Sequence, residues 1–204
     1  AGEDIKKVAL VLPAGTHLDS PEIGLLASIN ISKIPVFKKP RVAIISTGDE
    51  IVEPGEEKPS NKIYNSNAYV LFNEVKKYGG EPLYFGIVAD EKEKTLQKIS
   101  ELLEYDVIIS SGGVSMGRYD FIPEILSKIG VDIKVHKVLM KPGKPVLFGS
   151  SADKLFFGLP GNPVSVMVSF LKFVRPALLK LSGATKINKP VITAKSEEDF
   201  KKQK

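Results

Sequence analysis

A group of serine, glycine and aspartate residues in the middle of the chain has the composition of a ligand-binding turn. Residues 110–120 read S-S-G-G-V-S-M-G-R-Y-D and follow the run Y-D-V-I-I at 105–109, which predicts a short buried strand. Glycines at the end of a strand let backbone N–H groups approach a ligand, while Ser115 supplies a hydroxyl and Asp120 a carboxylate. The stretch predicts a phosphate cradle or a metal ligand, and a plain connecting loop is the alternative.

Three carboxylates, those of Glu50, Asp90 and Asp120, each come just after a predicted strand. Ligands of parallel sheets bind at the carboxyl ends of the strands, so we expect the three groups to converge on one rim. Mg²⁺ is typically held by one or two carboxylates together with substrate phosphates. The set therefore predicts a site for Mg²⁺ or a phosphate ester. Helix capping by Asp90 or Asp120 and a solvated Glu50 are the alternatives.

Lysines follow in a loop that we expect at the same rim. Lys137, Lys141 and Lys144 lie in the segment H-K-V-L-M-K-P-G-K-P at 136–145, where two prolines and Gly143 restrict the backbone. Paired ammonium groups on a rigid loop suit a small oxyanion or a phosphate. The alternative is that these lysines are simply solvated.

The segment G-L-P-G-N-P at 158–163 leads into the last predicted helix. Free N–H groups and the dipole at a helix N-terminus favour anions, so Pro160, Gly161 and Asn162 are predicted to contact the ligand. The segment also has the composition of an ordinary N-cap turn.

Other familiar motifs are absent or incomplete. The chain has no G-x-x-x-x-G-K-[ST] and no G-x-G-x-x-G. Residues 113–117 match the nucleophile elbow G-x-S-x-G, but His136 is the only downstream histidine and lies in a predicted strand. A serine hydrolase stays as an alternative, which labelling of Ser115 by a fluorophosphonate probe would support.

Composition sets the class of protein. The chain has 204 residues, 43% of them hydrophobic, and a mean hydropathy of +0.00, which predicts a soluble globular protein with a core. The net charge of +5 favours anionic ligands. Basic and acidic residues are interspersed, however, so the sequence does not indicate a continuous basic surface for nucleic acid. With no cysteine and two histidines, the chain cannot form a zinc site from these two residue types alone. The lack of cysteine also fits a cytoplasmic protein. No apolar run approaches the ~18 residues of a membrane span.

Strand and helix patterns alternate along the chain, which predicts an α/β fold: a three-layer α/β/α domain with a mostly parallel sheet. The predicted strands are 41–46, 82–88, 106–110, 133–138, 146–149 and 154–158. Helices are predicted from Ser20, over 68–78, from a capping box at Asp90, over 122–129, and from Asn162 to Gly183 with a kink at Pro176.

Five ordered motifs resemble those of the molybdopterin molybdenumtransferase family, which includes MoeA and the gephyrin E domain. They are S-T-G-D-E at 46–50, I-Y-N-S-N at 63–67, the 110–120 turn, K-P-G-K-P at 141–145 and G-L-P-G-N-P-V-S at 158–165. The resemblance implies the fold shared with MogA-type adenylyltransferases. It also implies insertion of molybdenum from molybdate into adenylylated molybdopterin, with release of AMP and with Mg²⁺ or a similar cation.

The resemblance also assigns roles to residues. It implies catalytic roles for Glu50, Asp90, Asp120, Lys137 and Lys141, and Mg²⁺ ligands at Glu50, Asp90 and Asp120. The substrate-binding residues it implies are Thr47, Gly48, Ser111, Gly112, Gly113, Ser115, Lys141, Gly143, Lys144, Pro160, Gly161 and Asn162.

Family members are longer, so we expect residues 1–38 to be the remnant of an N-terminal linker domain. We expect residues 39–186 to form the molybdopterin-binding domain, and residues 187–204 to be the start of a C-terminal β domain or a tail. A homodimer and the adenylyltransferase as a further partner are implied. The 204 residues are expected to bind adenylylated molybdopterin but to insert molybdenum poorly. Adenylyltransferase activity on the same fold and a non-catalytic scaffold are the alternatives.

Overall fold

The computed structural model describes residues 5, 6, 8–113 and 121–198. The predictions made for Ser115 and Asp120, including the nucleophile elbow and one of the Mg²⁺ ligands, lie outside the described residues.

The strands and helices alternate as the sequence pattern predicted. The strands are β1 (Arg41–Thr47), β2 (Ile51–Val52), β3 (Ile63–Tyr64), β4 (Glu81–Val88), β5 (Val107–Ser111), β6 (Asp132–His136), β7 (Leu147–Ser151) and β8 (Lys154–Leu159). The helices are α1 (Ser20–Ser28), α2 (Asn67–Lys77), α3 (Lys92–Glu101), α4 (Ile122–Lys128), α5 (Pro163–Ser169) and α6 (Arg175–Leu181). A 3₁₀ turn (Leu102–Glu104) follows α3, and a π turn (Phe170–Val174) joins α5 to α6.

Six of the strands form one mostly parallel sheet with the order β4-β1-β5-β8-β7-β6. The four strands from β4 to β8 in this order are parallel, whereas β7 is antiparallel to both of its neighbours. Only Ala152 and Asp153 separate the paired ends of β7 and β8, and so short a connection requires an antiparallel hairpin. The predicted mostly parallel sheet is therefore confirmed.

Helices cover both faces of the sheet, because the central strands are apolar on both sides. In β1, Ala43 and Ile45 face a core cluster shared with α3 and α4. Val42 and Ile44 face a second cluster shared with α2, α5, the π turn and α6. Alternating side chains of one strand thus enter two cores, as expected for a parallel sheet between two helical layers.

The last helical segment is less regular than predicted. The sequence predicted one helix kinked at Pro176, but the π turn interrupts the segment just before this proline. Proline has no N–H to donate to the carbonyl of Lys172, and its ring needs room beside that carbonyl. A wider π turn provides this room.

Two helix starts also differ from the prediction. The N-cap of α3 is Glu91 and not Asp90, so the predicted capping box at Asp90 is wrong. The N-cap of α1 is Asp19 and not Ser20, and the Asp19 N–H donates to the Glu22 carboxylate at 3.0 Å. Because Asp90 precedes α3 without capping it, its carboxylate remains available to a ligand at the end of β4.

In the part of the chain that the structure describes, no helix is long and apolar enough to cross a membrane.

Candidate functional site

The carboxyl ends of β4, β1, β5 and β8 lie side by side, since these strands are adjacent and parallel. Glycine, acidic and amide residues follow these four ends: residues 48–50 after β1, Asp90 after β4, Gly112 and Gly113 after β5, and residues 160–162 after β8. The structure therefore brings most of the predicted site residues that it describes to one edge of the sheet.

An acidic cleft of about 450 Å³ opens at the ends of β1 and β4, lined by Asp49, Glu50, Asn61 and Asp90. The Asp90 N–H donates to Asp49 Oδ1 at 3.2 Å, which ties the two strand ends together. Gly48 lies so close to Glu50 that a Cβ there would be 2.6 Å from Glu50 Oε2. Asp49 and Asn61 were not predicted as site residues, although Asp49 lies within the S-T-G-D-E motif.

Negative charge is concentrated in the acidic cleft. Burial raises the pKa of Asp90, and repulsion from Asp49 and Glu50 raises the pKa further. A bound cation would relieve this repulsion, so the donor set fits Mg²⁺. Among the described residues no group of three His, Asp or Glu is close enough to hold a metal ion alone. One or two carboxylates plus substrate phosphates are, however, the usual Mg²⁺ ligands.

A glycine turn at the end of β5 packs directly on β1. Gly112 has φ +93°, and a Cβ there would lie 2.3 Å from the Thr47 backbone oxygen. Gly113 has φ +65°, and its Cβ would lie 2.6 Å from Thr47 Oγ1. The sequence predicted glycine here for approach to a ligand, but the structure shows an additional requirement, which is the close approach of β1.

The glycine turn borders the acidic cleft. Thr47, Asp90 and Gly113 line one small pocket, whose other lining residues come from α3, α4 and the residue before α4. The Thr47 hydroxyl is buried, and among the described residues it has no hydrogen-bond partner. An unpartnered buried hydroxyl is costly unless a ligand or water satisfies it. Thr47 and Asp90 thus line the same pocket.

A polar network centred on Glu53 holds the segment that carries Asn61. The Glu53 carboxylate accepts hydrogen bonds from the hydroxyls of Tyr84 in β4 and of Tyr69 in α2, the latter at 3.0 Å. Asn65 Nδ2 donates to the Tyr84 hydroxyl at 2.7 Å, and Asn65 Oδ1 accepts from Ser46 Oγ in β1 at 3.1 Å. The network joins β1, β4 and α2 to the segment between β1 and α2, residues 48–66.

Burial raises the pKa of Tyr84 far above its ordinary value, and the hydrogen bond to Glu53 raises it further.

The short strand pair β2 and β3 fixes the backbone of the segment between β1 and α2. The Ile63 N–H donates to the Glu50 carbonyl at 2.8 Å. Sequence reasoning missed this network, although its Asn65 lies in the I-Y-N-S-N motif.

Asn67, the first residue of α2, connects the ends of β5 and β8 at the same edge of the sheet. Its Nδ2 donates to the Gly161 carbonyl at 2.7 Å and to Ser111 Oγ at 3.0 Å. One side chain therefore bridges the end of β5 and the turn after β8. The predicted residues Ser111 and Gly161 meet through Asn67, which was not predicted as a site residue.

The lysine loop, residues 137–145, packs against α5. Val138 N–H donates to the Lys144 carbonyl at 3.0 Å, and Lys137 N–H donates to the Val146 carbonyl at 2.8 Å. Gly143 has φ +104°, and a Cβ there would lie 3.0 Å from Ser169 Oγ in α5. The side chains of Lys137, Lys141 and Lys144 are exposed. The loop backbone is thus fixed while its three ammonium groups remain accessible.

The turn before α5 has a capping role. Asn162 Oδ1 accepts hydrogen bonds from the Val164 and Ser165 N–H groups at 3.1 and 3.2 Å. Two of the amide groups that we expected to face an anion are therefore already satisfied by the side chain. Contact of Pro160 and Gly161 with a ligand stays a prediction.

The fold defines the class of protein: a three-layer α/β/α domain, in which the carboxyl ends of parallel strands are the usual place for a ligand site. Residues 43–180 match the MoCF_biosynth family model, described as "Probable molybdopterin binding domain". The chain therefore belongs to this family.

Longer proteins contain similar sequences and structures. The chain is 41% identical over 193 residues to a molybdopterin molybdenumtransferase of Nostoc sp., which covers 93% of this chain and 44% of the relative. It is 38% identical over 190 residues to the Haemophilus influenzae protein of the same name, covering 93% and 47%. A solved molybdopterin biosynthesis MoeA protein of Pyrococcus horikoshii superposes with a TM-score of 0.80 at 37% identity, covering 89% and 45%. The chain spans about half the length of these relatives.

Gly112 and Gly55 allow a matched test of the contact between the glycine turn and β1. Both have positive φ, +93° and +96°, but a Cβ at Gly55 meets nothing within 4 Å. We expect Gly55→Ala to cost about 1 kcal/mol of unfolding free energy from backbone strain alone. Gly112→Ala should cost at least about 3 kcal/mol, because the Thr47 backbone must also move. Urea denaturation measures both, and equal losses would contradict the contact.

Tyr84→Phe tests the network around Glu53. We expect a loss of about 1–3 kcal/mol of unfolding free energy, because Glu53 and Asn65 each lose a partner in a partly buried site. Tyr64→Phe is the control, since Tyr64 is exposed and its hydroxyl makes a long hydrogen bond of 3.4 Å to the Glu56 carbonyl. Chemical denaturation with indistinguishable midpoints for the two variants would show that the network contributes nothing to stability.

Asp90→Asn tests charge crowding in the acidic cleft. The raised pKa of Asp90 means that the folded state holds the proton more tightly than the unfolded state. Stability contributed by this group is therefore lost as pH rises from about 4, the ordinary aspartate value, through the raised pKa. We expect Asp90→Asn to be more stable than the wild type at pH 7, by less than about 1 kcal/mol because the group is partly solvated.

The gain from Asp90→Asn should vanish below about pH 4, where both states of the wild type are protonated. Asp153→Asn is the control, because this carboxylate is largely exposed and lies outside the acidic cleft. Thermal unfolding between pH 3 and 8 gives the comparison. A lower melting temperature for Asp90→Asn at pH 7 would mean that the carboxylate is stabilised and not crowded.

Proposed function

We propose that this domain acts in molybdenum cofactor biosynthesis by binding adenylylated molybdopterin and molybdate, inserting molybdenum into the dithiolene and releasing AMP. The observation that carries the proposal is the acidic cleft at the ends of β1 and β4, in a domain whose family is described as molybdopterin binding. The names of the longer relatives support the transferase step.

In this proposal, Glu50, Asp90 and Asp120 hold Mg²⁺ at the cleft. The raised pKa of Asp90 supports this role, because crowded carboxylates gain most from a cation. The ion would screen the charge of the substrate pyrophosphate. The protein contributes by fixing Glu50 and Asp90 on two adjacent strand ends, with the Asp49 carboxylate joined to the Asp90 N–H at 3.2 Å.

The lysine loop serves the molybdate. Lys137, Lys141 and Lys144 offset the charge of the dianion as it approaches the substrate's sulfur atoms. A fixed loop backbone supports this role, because preorganised charges need not reorganise when the anion arrives. The Lys144 carbonyl accepts from the Val138 N–H at 3.0 Å, which fixes the base of that side chain.

The glycine turn and the residues around it bind the organic part of the substrate. They are Thr47, Gly48, Ser111, Gly112, Gly113 and Ser115 from the β1 and β5 ends, and Gly143, Pro160, Gly161 and Asn162 from the other side. The Thr47 hydroxyl is buried and has no hydrogen-bond partner among the described residues, which supports a ligand contact here, since a donor or acceptor from the ligand would satisfy it.

We further propose that residues 39–186 are the substrate-binding domain, flanked by parts of two other domains at 1–38 and 187–204. Among the described residues before Lys39 only Leu26 is buried, so these residues do not form a core of their own. The chain spans about half the length of its relatives, and we propose that other domains complete the site in a homodimer, with the adenylyltransferase as a further partner.

Molybdate-dependent AMP release tests the function. We expect the chain to bind adenylylated molybdopterin and, with Mg²⁺ and molybdate, to release AMP more slowly than a full-length relative. Lys144→Ala should lower the molybdate-dependent rate by at least about tenfold, because a positioned charge on the anion is lost. Lys134→Ala is the control, since Lys134 pairs with Asp132 at the surface of β6.

Two results would contradict this function. Failure of the chain to bind adenylylated molybdopterin would exclude the substrate. Transfer of AMP from Mg-ATP to molybdopterin, without any effect of molybdate, would assign the chain to the preceding adenylylation step.

A further inference from the structure

Asn67 lies at the carboxyl edge of the sheet but has a chemistry different from the rest of that edge. It is the first residue of α2 and contacts Ser111 at the end of β5 and Gly161 after β8. The side chain is only partly buried, so its amide is accessible to a ligand at this edge.

The orientation of the Asn67 amide is fixed by its partners. The Gly161 carbonyl is only an acceptor, so the atom that contacts it at 2.7 Å must be the amide nitrogen. The second Nδ2 hydrogen is directed to Ser111 Oγ at 3.0 Å. Both donors of the side chain are therefore used within the protein.

The remaining polar atom of the side chain is Oδ1. Among the described residues no donor is hydrogen-bonded to Asn67 Oδ1. A carbonyl oxygen held in this way accepts a hydrogen bond but cannot donate one. It favours a ligand with an N–H group and disfavours phosphate or molybdate, which bring only further negative oxygens.

We propose that Asn67 Oδ1 accepts a hydrogen bond from the amino group of the substrate's nitrogen heterocycle and so selects an amino-substituted ring. This inference rests on the proposed function, because adenylylated molybdopterin carries two such rings, the pterin and the adenine. In this proposal the edge has two parts. Phosphate and molybdate bind near the lysine loop and the acidic cleft, and the heterocycle binds beside α2.

Paired ligands test the proposal without the full reaction. One pair is a pterin with a 6-alkyl phosphate chain and the lumazine with the same chain, in which an oxo group replaces the 2-amino group. The other pair is AMP and IMP, in which an oxo group replaces the amino group of adenine. Calorimetry gives the dissociation constant of each ligand for the wild type, for Asn67→Ala and for Asn73→Ala.

We expect the wild type to prefer the amino member of one pair by about five- to tenfold, the value of one hydrogen bond. Asn67→Ala should remove this preference. Asn73→Ala should keep it, because Asn73 lies exposed on the same helix. The pair that shows the effect identifies the ring as pterin or adenine. If Asn67→Ala does not fold, Asn67→Ser and the ligand comparison on the wild type still decide.

Failure of the inference is distinct from failure of the proposed function. Equal affinity of the wild type for both members of each pair would overturn the role of Asn67. So would an equal loss of affinity for both members in Asn67→Ala, which indicates a structural role only. If none of the four ligands binds the wild type, the proposed function itself is wrong.

Discussion

The parallel alignment of β1 with β4 is the constraint on which the rest of the site depends. It places residues 48–50 next to Asp90, and the hydrogen bond from the Asp90 N–H to Asp49 closes the two strand ends at 3.2 Å. The cost is that burial raises the pKa of Asp90, and repulsion from Asp49 and Glu50 raises it further. A fold that keeps like charges together without a ligand is poised to bind a cation, or a cation with phosphates.

Neighbouring parts of the structure hold this edge in place. The network around Glu53 fixes the segment between β1 and α2, which includes Asn61 of the acidic cleft. Gly112 lets the end of β5 approach Thr47, and Asn67 joins that end to the turn after β8. The residues at the four strand ends are thus linked by direct contacts.

Local pattern predicted the strands, helices and layers, because alternation and helical periodicity are properties of neighbouring residues. The convergence of Glu50 and Asp90 could be predicted because strand ends of a parallel sheet share an edge. The bond between Tyr84 and Glu53, 31 positions apart, could not, since it depends on the final packing. The π turn before Pro176 and the N-cap at Glu91 were missed because tertiary contacts decide between near-equivalent local geometries.

The most direct test of the account is the position of the substrates in a crystal of this chain soaked with molybdate, Mg²⁺ and AMP. The anomalous signal of molybdenum locates the oxyanion independently of the protein phases. We predict a molybdenum peak at the lysine loop beside Lys144, with the AMP phosphate toward the acidic cleft of Glu50 and Asp90. Molybdate and AMP bound at the opposite, amino-terminal edge of the parallel strands would contradict the account.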